Sequence, residues 1–420
     1  MYRLLLFCSH KLLFLCKTLF MKIGIIREGK FPPDKRVVLT PEQCKSAINT
    51  YLKLELVVQP SEVRTFKDSE YSDLGITLQS DLSDCDIILG VKEVNLEDLI
   101  PNKKFLFFSH TYKLQPYNKD LLRAILKKKI QLIDYEVLTK NGKRVIAFGR
   151  YAGIVGAYNG LRAWGEKYGH FSLKPAHQCF DMMEMLGELK KLDFKKPRKI
   201  LITGHGRVAG GAVEVFESAK IKRVTDTEFL ENTYDETVYT QLSVDHYCAR
   251  ISDGKFDRQD FYKDPSGYKS EFMKFAKQTD LYIAGHYWDS RGPFLFSRED
   301  AKDTNFKIKM IADISCDIDG PIASTIRPSS VADPFYGYDP IQEKETDFKN
   351  EQSIGVMAVD NLPCELPKDA SLSFGNSFLE HILPALMEND PEGIIERGSE
   401  TDLNGKLTPQ FNYLQDFIKE

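Results

Sequence analysis

Two titratable residues, Lys92 and His110, each follow a short apolar run in the N-terminal third of the sequence. Lys92 follows DIILGV, and His110 follows FLFFS. Functional side chains of open α/β sheets gather at the carboxyl ends of strands, so this placement predicts that the two form an acid–base pair. Taken alone, each residue is more ordinary: a solvated lysine, and a hydrogen-bonded loop histidine. Arg36, in the loop DKRVVLTP, is likewise expected to be solvated when considered alone.

A glycine-rich turn, GHGRVA, runs from Gly204 to Ala209 after the apolar run KILIT and before a helical pattern. Glycines at Gly204 and Gly206 permit a tight turn and a close approach of backbone to a diphosphate, which the helix N-terminus then binds. Asp226 lies 22 residues after Gly204. A carboxylate there binds the ribose of NAD and repels the 2′-phosphate of NADP. The turn therefore predicts NAD, although the neighbouring Arg223 leaves NADP open.

Short β-forming runs alternate with helical patterns along most of the chain, which predicts an α/β protein with parallel sheets. We expect two Rossmann-like domains with an interdomain cleft. Residues 21–150, completed by about 372–420, form the substrate-side domain, and residues 151–371 form the NAD-binding domain. An insertion is expected near 238–277, and its charged and aromatic stretch 250–270 is expected to be an insertion or a long loop. The small-residue helix GIVGAYNGLRAWGEKYG is expected to bridge the two domains.

Composition limits the classes of partner and of compartment. The 420 residues are 42% hydrophobic and 28% charged, with a net charge of −4, so nothing favours nucleic acid or an anionic membrane. The eight cysteines form no C-x-x-C pair, which argues against a zinc site or a disulfide framework and fits the cytoplasm. We expect no metal and a small amino-acid substrate, and we leave the oligomeric state open. Residues 1–20 are interpreted as an extension before a natural start at Met21, or as a weak anchor or targeting segment.

Several motifs resemble those of the saccharopine dehydrogenases. They are KRVVLTP, ILGVKEV, FFSHTYK, IDYE, RVIAFGRYAGIVGA, GHGRVAGGA and VDNLPCELPKDAS, in the family's order from about residue 21 to residue 374. They resemble equally the lysine–oxoglutarate reductase half of bifunctional lysine-degrading enzymes, within a superfamily that includes alanine dehydrogenase and the transhydrogenase N-terminal region. The resemblance implies NAD-dependent conversion of saccharopine and water to lysine and 2-oxoglutarate, or the reverse reaction.

The resemblance also implies roles for individual residues. Lys92 would take the proton from the secondary amine of the substrate, and His110 would move protons during hydration and collapse of the imine. Arg36 would bind a substrate carboxylate, and Gln115 and Phe148 fall on substrate-contacting positions. The implied cofactor-binding residues are Lys143, Arg144, Gly204, Gly206, Arg207, Asp226, Ile314, Ser315, Cys316 and Asp317.

Arg150 departs from the family pattern, because it stands where family members often have an uncharged residue. An extra cation there would either alter carboxylate preference or face water. The alternatives within the same chemistry are alanine dehydrogenase and an NADPH-dependent lysine–oxoglutarate reductase. A different class, a non-catalytic nucleotide-sensing protein on a dehydrogenase fold, is also open.

Overall fold

The computed structural model describes residues 20–419 and divides into two compact units. Unit 1 contains the described residues up to Ile146 and those from Ser371 onward, whereas unit 2 is Ala147–Ala370. The predicted extension at residues 1–20 lies, except for Phe20, outside the described residues. No helix within residues 20–419 is long and apolar enough to cross a membrane. The cytoplasmic location stays a prediction.

Unit 1 is built on a six-stranded parallel sheet with the strand order β3-β2-β1-β4-β5-β6. Its strands are almost entirely buried and therefore have continuous apolar sequences, as expected for a parallel sheet covered on both faces. The strands of this first segment are β1 Met21–Ile25, β2 Leu54–Val58, β3 Thr77–Leu78, β4 Ile87–Leu89, β5 Lys104–Phe107, β6 Gln131–Asp134, β7 Thr139–Lys140 and β8 Lys143–Arg144; the helices are α1 Pro41–Thr50, α2 Asp68–Asp73 and α3 Lys119–Lys127.

Unit 2 has an eight-stranded sheet with the order β10-β11-β9-β14-β15-β18-β16-β17, parallel except at β16 and β17. The strands are β9 Lys199–Thr203, β10 Lys222–Arg223, β11 Val238–Leu242, β12 Cys248–Arg250, β13 Tyr268–Ser270, β14 Leu281–Ala284, β15 Met310–Asp313, β16 Phe335–Asp339, β17 Lys344–Thr346 and β18 Ile354–Met357. The helices are α4 Gly149–Tyr168, α5 Met182–Glu188, α6 Arg207–Ser218, α7 Asp226–Glu231, α8 Arg258–Lys263, α9 Met273–Ala276 and α10 Arg298–Ala301.

The C-terminal segment returns to unit 1. Its helices are α11 Pro367–Ser377, which begins at the end of unit 2, α12 Leu383–Met387, α13 Ile394–Gly398 and α14 Leu414–Lys419. Side chains tie this segment to the first one. The Val37 N–H donates to the Ser371 hydroxyl at 2.9 Å, and the Leu132 N–H donates to the Thr401 hydroxyl at 2.9 Å. Unit 1 is therefore assembled from two parts of the chain that the whole of unit 2 separates.

The predicted small-residue helix is α4, and it lies within unit 2 rather than as a bridge between units. It packs closely on α6, the helix after the glycine-rich turn. A Cβ at Gly153 would overlap the carbonyl oxygen of Val208, and a Cβ at Gly211 would overlap that of Arg150. Glycine at these two positions lets the two helix backbones approach directly.

The predicted insertion near 238–277 is wrong at its N-terminal boundary. Val238–Leu242 is strand β11, which pairs in parallel with β9 inside the main sheet. The stretch 250–270, predicted to be an insertion or a long loop, is folded rather than a loop: β12 and β13 pair antiparallel outside the main sheet, with helix α8 between them. The aromatic residues that gave this stretch no clear period form its small core, in which Phe261 and Tyr268 make an edge-to-face contact at 5.0 Å.

Candidate functional site

The candidate site of unit 1 is the edge of the sheet where its parallel strands end. Glu28 follows β1, Lys92 and Glu93 follow β4, His110 follows β5, and Glu136 follows β6. These four strands are neighbours in the order β1-β4-β5-β6. Because all of them run in the same direction, the loops that carry these side chains meet at one edge. The structure therefore brings Lys92 and His110 to the same edge, as the sequence predicted.

Lys92 is held by the buried carboxylate of Glu28, which accepts hydrogen bonds from the backbone N–H groups of Val91, at 2.7 Å, and of Lys92, at 2.9 Å. Burial lowers the pKa of the half-buried Lys92 ammonium, and the nearby charge of Arg36 lowers it further. Burial also raises the pKa of Glu28 to about 7. The environment of Lys92 thus shifts its protonation equilibrium towards the free amine, the form that can accept a proton.

Arg36 is buried rather than solvated, with only 2% of its surface exposed. Its guanidinium makes a two-pronged ion pair with Asp34, in which Nε lies 3.0 Å from Oδ1 and Nη2 lies 2.5 Å from Oδ2. The solvated interpretation of this loop arginine is therefore wrong. A buried charge needs such a partner, and an acid two residues away is the sequence signal that could have predicted it.

His110 is oriented by Glu93, which the sequence analysis missed. The Nδ1 atom of His110 lies 2.6 Å from Oε1 of Glu93, and Lys30 binds the other oxygen of Glu93 at 2.8 Å. Burial alone would raise the pKa of Glu93, but the hydrogen bonds from His110 and Lys30 outweigh it and lower the pKa to about 2. Glu93 thus stays ionised beside the imidazole and keeps the ring in one orientation. Such a partner is expected for a histidine that accepts and releases protons.

Glu136, in the motif IDYE, gathers several cations at the same edge. It lies 2.8 Å from Nζ of Lys113, 3.3 Å from Nη2 of Arg144 and 3.9 Å from Nε2 of His110. Arg144, predicted to bind cofactor, is therefore paired with a carboxylate of its own unit. Glu136 was missed because a carboxylate that follows a strand looks like an ordinary solvated residue.

The other predicted residues are divided between the units. Gln115 is half-buried in unit 1, where its side-chain oxygen accepts from the Tyr117 hydroxyl. Lys143 is exposed on β8, also in unit 1. Phe148 is in unit 2, directly before α4. Arg150, the departure from the family pattern, makes a two-pronged pair with Glu214 of α6, at 2.7 and 2.6 Å, and so links two helices of unit 2.

The glycine-rich turn of unit 2 connects β9 to α6, as predicted. Gly204 has a φ of +101°, and a Cβ there would lie 2.5 Å from the carbonyl oxygen of Gly285, so both conformation and space require glycine. A Cβ at Gly206 would meet nothing within 4 Å. The turn thus leaves open space beside Gly206, directly before the first N–H groups of α6 at Arg207. This arrangement fits the diphosphate of a dinucleotide.

Asp226 is the first residue of α7, three positions after the short strand β10. Its carboxylate Oδ2 lies 3.9 Å from Nε2 of His246. Cations share this region: burial lowers the pKa of His205 in the glycine-rich turn, and the charges of Arg223 and His246 lower it further. Acidic and basic groups therefore both stand near the position that distinguishes NAD from NADP.

The predicted loop Ile314–Asp317 follows β15, two strands from β9 and at the same edge of the sheet as the glycine-rich turn. Asp313 shapes this loop, because its Oδ1 accepts from the N–H groups of Ser315 and Cys316 at 3.1 Å each. Cys316, at a φ of +55°, turns its thiol to the carbonyl oxygen of Ala358, 3.1 Å away. Burial raises the pKa of Asp317 to about 6, and the charge of Asp313 adds to this rise.

No group of three or more His, Cys, Asp or Glu residues within residues 20–419 has an arrangement that could hold a metal ion. The expectation that the protein needs no metal stays a prediction. The described groups that fit a cofactor are those of the glycine-rich turn in unit 2, whereas those that fit acid–base chemistry are at the strand ends of unit 1.

Comparison with known proteins identifies relatives of this arrangement. The family model described as "Alanine dehydrogenase/PNT, N-terminal domain" matches residues 24–155. The mitochondrial alpha-aminoadipic semialdehyde synthase of Mus musculus is 30% identical over 444 residues, which cover 94% of this chain and 47% of that protein. The chain thus spans about half the length of this relative. The saccharopine dehydrogenase [NAD(+), L-lysine-forming] of Neurospora crassa is 25% identical and is covered over 87% of its length, by 83% of this chain.

A solved structure of L-alanine dehydrogenase superimposes with a TM-score of 0.64 at 16% sequence identity, covering 95% of this chain and 100% of that one. This likeness, together with the two sheets, confirms the predicted α/β, Rossmann-like fold. The chain is therefore similar in sequence to the alpha-aminoadipic semialdehyde synthases and the saccharopine dehydrogenases, and its residues 24–155 match the N-terminal domain model of alanine dehydrogenase and PNT.

Proposed function

We propose that the chain is a nicotinamide-dependent oxidoreductase acting on CH–NH donors, which interconverts saccharopine, NAD⁺ and water with lysine, 2-oxoglutarate and NADH. The observation that carries this proposal is the edge of unit 1. A lysine with a lowered pKa and a histidine held by a carboxylate lie there together. The relatives named saccharopine dehydrogenase support this choice of substrate.

The chemistry requires a base, because the Cα–H bond of the substrate gives up hydride readily only when the adjacent amine nitrogen is unprotonated. In its free-amine form, Lys92 accepts the proton of the substrate's secondary amine. Burial and the charge of Arg36 make that form available at a lower pH than in an ordinary lysine. The bound nicotinamide supplies the hydride acceptor, which Gly204, Gly206 and Arg207 would help to hold through the dinucleotide.

His110 acts in the following steps. Oxidation of the amine gives an imine, to which water adds, and the resulting carbinolamine collapses to the keto acid and the amine of lysine. His110 accepts a proton from the attacking water and returns a proton to the leaving nitrogen. Glu93 keeps the ring oriented through Nδ1, so that Nε2 is the nitrogen that exchanges protons.

A substrate with three carboxylates requires cations. Arg36, although it pairs with Asp34, is proposed to bind one carboxylate. Lys113 and Arg144 share the single carboxylate of Glu136, so these two cations exceed their common partner by one charge at the same edge of unit 1. Alanine has only one carboxylate, so this supply of cations favours saccharopine. Gln115 and Phe148 are proposed to contact the substrate on the basis of the family resemblance.

NAD is the proposed cofactor because Asp226 can bind the hydroxyls of the adenosine ribose. A second candidate, an NADPH-dependent lysine–oxoglutarate reductase, is favoured by Arg223 and His246 near the same position. The remaining cofactor contacts, at Lys143, Arg144 and the loop Ile314–Asp317, are proposed from the family resemblance.

The test measures nicotinamide absorbance with saccharopine, with alanine, and with lysine plus 2-oxoglutarate, each in the presence of NAD(H) or NADP(H). We expect NAD⁺ reduction with saccharopine and the reverse reaction with lysine, 2-oxoglutarate and NADH. Turnover with NADPH alone identifies the reductase, and turnover with alanine identifies an alanine dehydrogenase. Dinucleotide binding without turnover of any substrate would contradict the enzyme and favour a nucleotide-sensing protein.

A further inference from the structure

A chain of buried polar side chains lies directly behind the turn that carries His110. Its members are Ser109 and Thr111, on either side of the histidine, Asp134 at the end of β6, and Glu400 from the C-terminal segment. Each of the four side chains belongs to a residue with essentially no exposed surface. Glu400 is thus connected to the His110 turn although 290 residues separate them in the sequence.

Asp134 accepts hydrogen bonds from four donors and also contacts the Glu400 carboxyl. Its Oδ2 accepts from the N–H of Ser109 at 2.9 Å, the N–H of His110 at 3.2 Å and the hydroxyl of Ser109 at 2.5 Å, and its Oδ1 accepts from the N–H of Glu136 at 2.6 Å. Three backbone N–H groups and one hydroxyl stabilise a negative charge on Asp134, so we assign the charge of the pair to Asp134 and the shared proton to Glu400.

The remaining hydrogens of the chain can then be assigned in turn. The Ser109 hydroxyl gives its only hydrogen to Asp134, so its oxygen accepts from the Thr111 hydroxyl, 2.6 Å away. The Thr111 hydroxyl has then used its own hydrogen. Its oxygen can accept from Glu400, whose Oε2 lies 2.6 Å away. Glu400 also contacts the path directly, at Ser109, where Oε1 lies 3.3 Å from Oγ, and at Asp134. Donation along this path requires Glu400 to carry a proton.

The electrostatics agree with this assignment. Burial raises the pKa of both carboxyls. Hydrogen bonds from Ser109 and from the N–H of Glu136 oppose this rise at Asp134, whereas the charge of Asp134 adds to it at Glu400. Two buried carboxyls that share a hydrogen-bonded path retain one negative charge between them, because a second would be repelled by the first. Other titratable groups near this path are Glu136, Tyr112, Tyr135 and Tyr413.

We propose that Glu400 is a positioning residue that, as a neutral carboxylic acid, holds His110 in place through Thr111, Ser109 and Asp134. The inference rests on the proposed function, because the position of His110 matters for turnover only if His110 acts as an acid and a base. His110 has a φ of +55°, an unusual conformation for a non-glycine residue. Its N–H group donates to Asp134, and its ring reaches Glu93, so a shift of the turn displaces the imidazole from Glu93.

The test compares four variants of the full chain. Glu400→Gln keeps a neutral donor for Thr111 and is expected to retain kcat within about threefold, whereas Glu400→Ala and Thr111→Val break the path and lower kcat on the order of 10- to 100-fold. KM for the dinucleotide stays unchanged in all of them. The matched control is Thr401→Val, at the buried neighbour of Glu400, whose side-chain hydroxyl bonds the backbone of Ile130 and Leu132; this variant should retain kcat.

A readout that does not depend on turnover separates this inference from the proposed function. In full-length protein labelled with ¹³C-histidine, the His110 ring resonance, assigned with His110→Gln, should shift in Glu400→Ala and Thr111→Val. It should stay in place in Glu400→Gln and Thr401→Val. If Glu400→Gln shifts the resonance as far as Glu400→Ala does, or if neither shifts it, the positioning role is overturned. A wild-type chain without saccharopine turnover but with this pattern would contradict the proposed reaction alone.

Discussion

The Nδ1 atom of His110 lies 2.6 Å from the carboxylate of Glu93, the residue that directly follows Lys92. One carboxylate therefore orients the histidine and also raises the pKa of the adjacent lysine, against the effects of burial and of Arg36. The two proposed acid–base groups are consequently linked by a single short segment after β4. Changes at this segment should affect both protonation and orientation.

Lys92→Met should remove the proposed base while preserving the apolar part of the side chain. We expect kcat for saccharopine oxidation to fall on the order of 10²- to 10⁴-fold, because a positioned acid or base contributes about that much. Dinucleotide affinity, measured by nicotinamide fluorescence, should be unchanged, since the glycine-rich turn is in unit 2. The control is Lys127→Met, at an exposed position of α3. Normal turnover by Lys92→Met would show that the base is another residue.

The pH dependence of turnover should follow the pKa of Lys92. Activity is expected to rise with pH as the ammonium deprotonates, at a pH below that of an ordinary lysine because the pKa is lowered. The charge of Lys30 contributes to this lowering, so Lys30→Met should raise the pKa of Lys92 and move the rising limb of kcat/KM to higher pH. An unmoved limb, or a move to lower pH, would argue against Lys92 as the titrating group. Lys127→Met again serves as the control.

The two glycines of the phosphate turn should respond differently to alanine. Gly206→Ala adds a methyl group into open space, so the melting temperature should be unchanged while dinucleotide affinity falls roughly tenfold or more. Gly204→Ala should lower the melting temperature, because alanine disfavours the positive φ at this position and its Cβ would overlap the carbonyl oxygen of Gly285. Calorimetry for binding and thermal unfolding for stability distinguish the two effects. If Gly206→Ala and the wild type bound the dinucleotide with equal affinity, the proposal that the diphosphate binds at this turn would be contradicted.

The crossing of α4 and α6 can be tested at two adjacent glycines. Gly211→Ala should destabilise the protein by about 1–3 kcal/mol, because the added methyl overlaps the backbone of α4. Gly210→Ala is the matched control: its Cβ meets nothing within 4 Å, so the better helix former should stabilise α6 by about 0.5–1 kcal/mol. Denaturant unfolding measures both. Similar effects of the two substitutions would contradict the close helix contact.

Acid should weaken the interactions of Glu93 within a defined range. Hydrogen bonds with His110 and Lys30 lower the pKa of Glu93 from 4.5 to about 2, despite burial. A carboxylate whose pKa is lowered by folding stabilises the folded state at every pH above its pKa in the unfolded chain. This contribution is lost as the pH falls from about 4.5 towards about 2. Glu93→Gln should therefore be less stable than wild type at neutral pH, and the difference should shrink below pH 4.5. A constant difference across this range would contradict the ion pair.

The sequence predicted the parts of the fold that depend on local pattern. Buried parallel strands show as apolar runs, and the turn at Gly204 is identified by its neighbours, so both sheets and the phosphate turn could be recognised. Three ion pairs could not be recognised, because a charged residue looks the same in sequence whether it is solvated or paired. They are Arg36 with Asp34, Arg150 with Glu214, and Glu93 with His110. The antiparallel pair β12–β13 with helix α8 was also missed, because its aromatic residues pack together without a periodic pattern in the sequence.

The contribution of Glu400 was beyond sequence reasoning because it depends on a contact between distant parts of the chain. That contact also has a consequence for biosynthesis. Unit 2 is continuous in the sequence, whereas unit 1 is complete only once the segment from Ser371 onward has been synthesised. A nascent chain that stops before Glu400 would retain every predicted catalytic side chain, yet it would lack the carboxyl group behind His110.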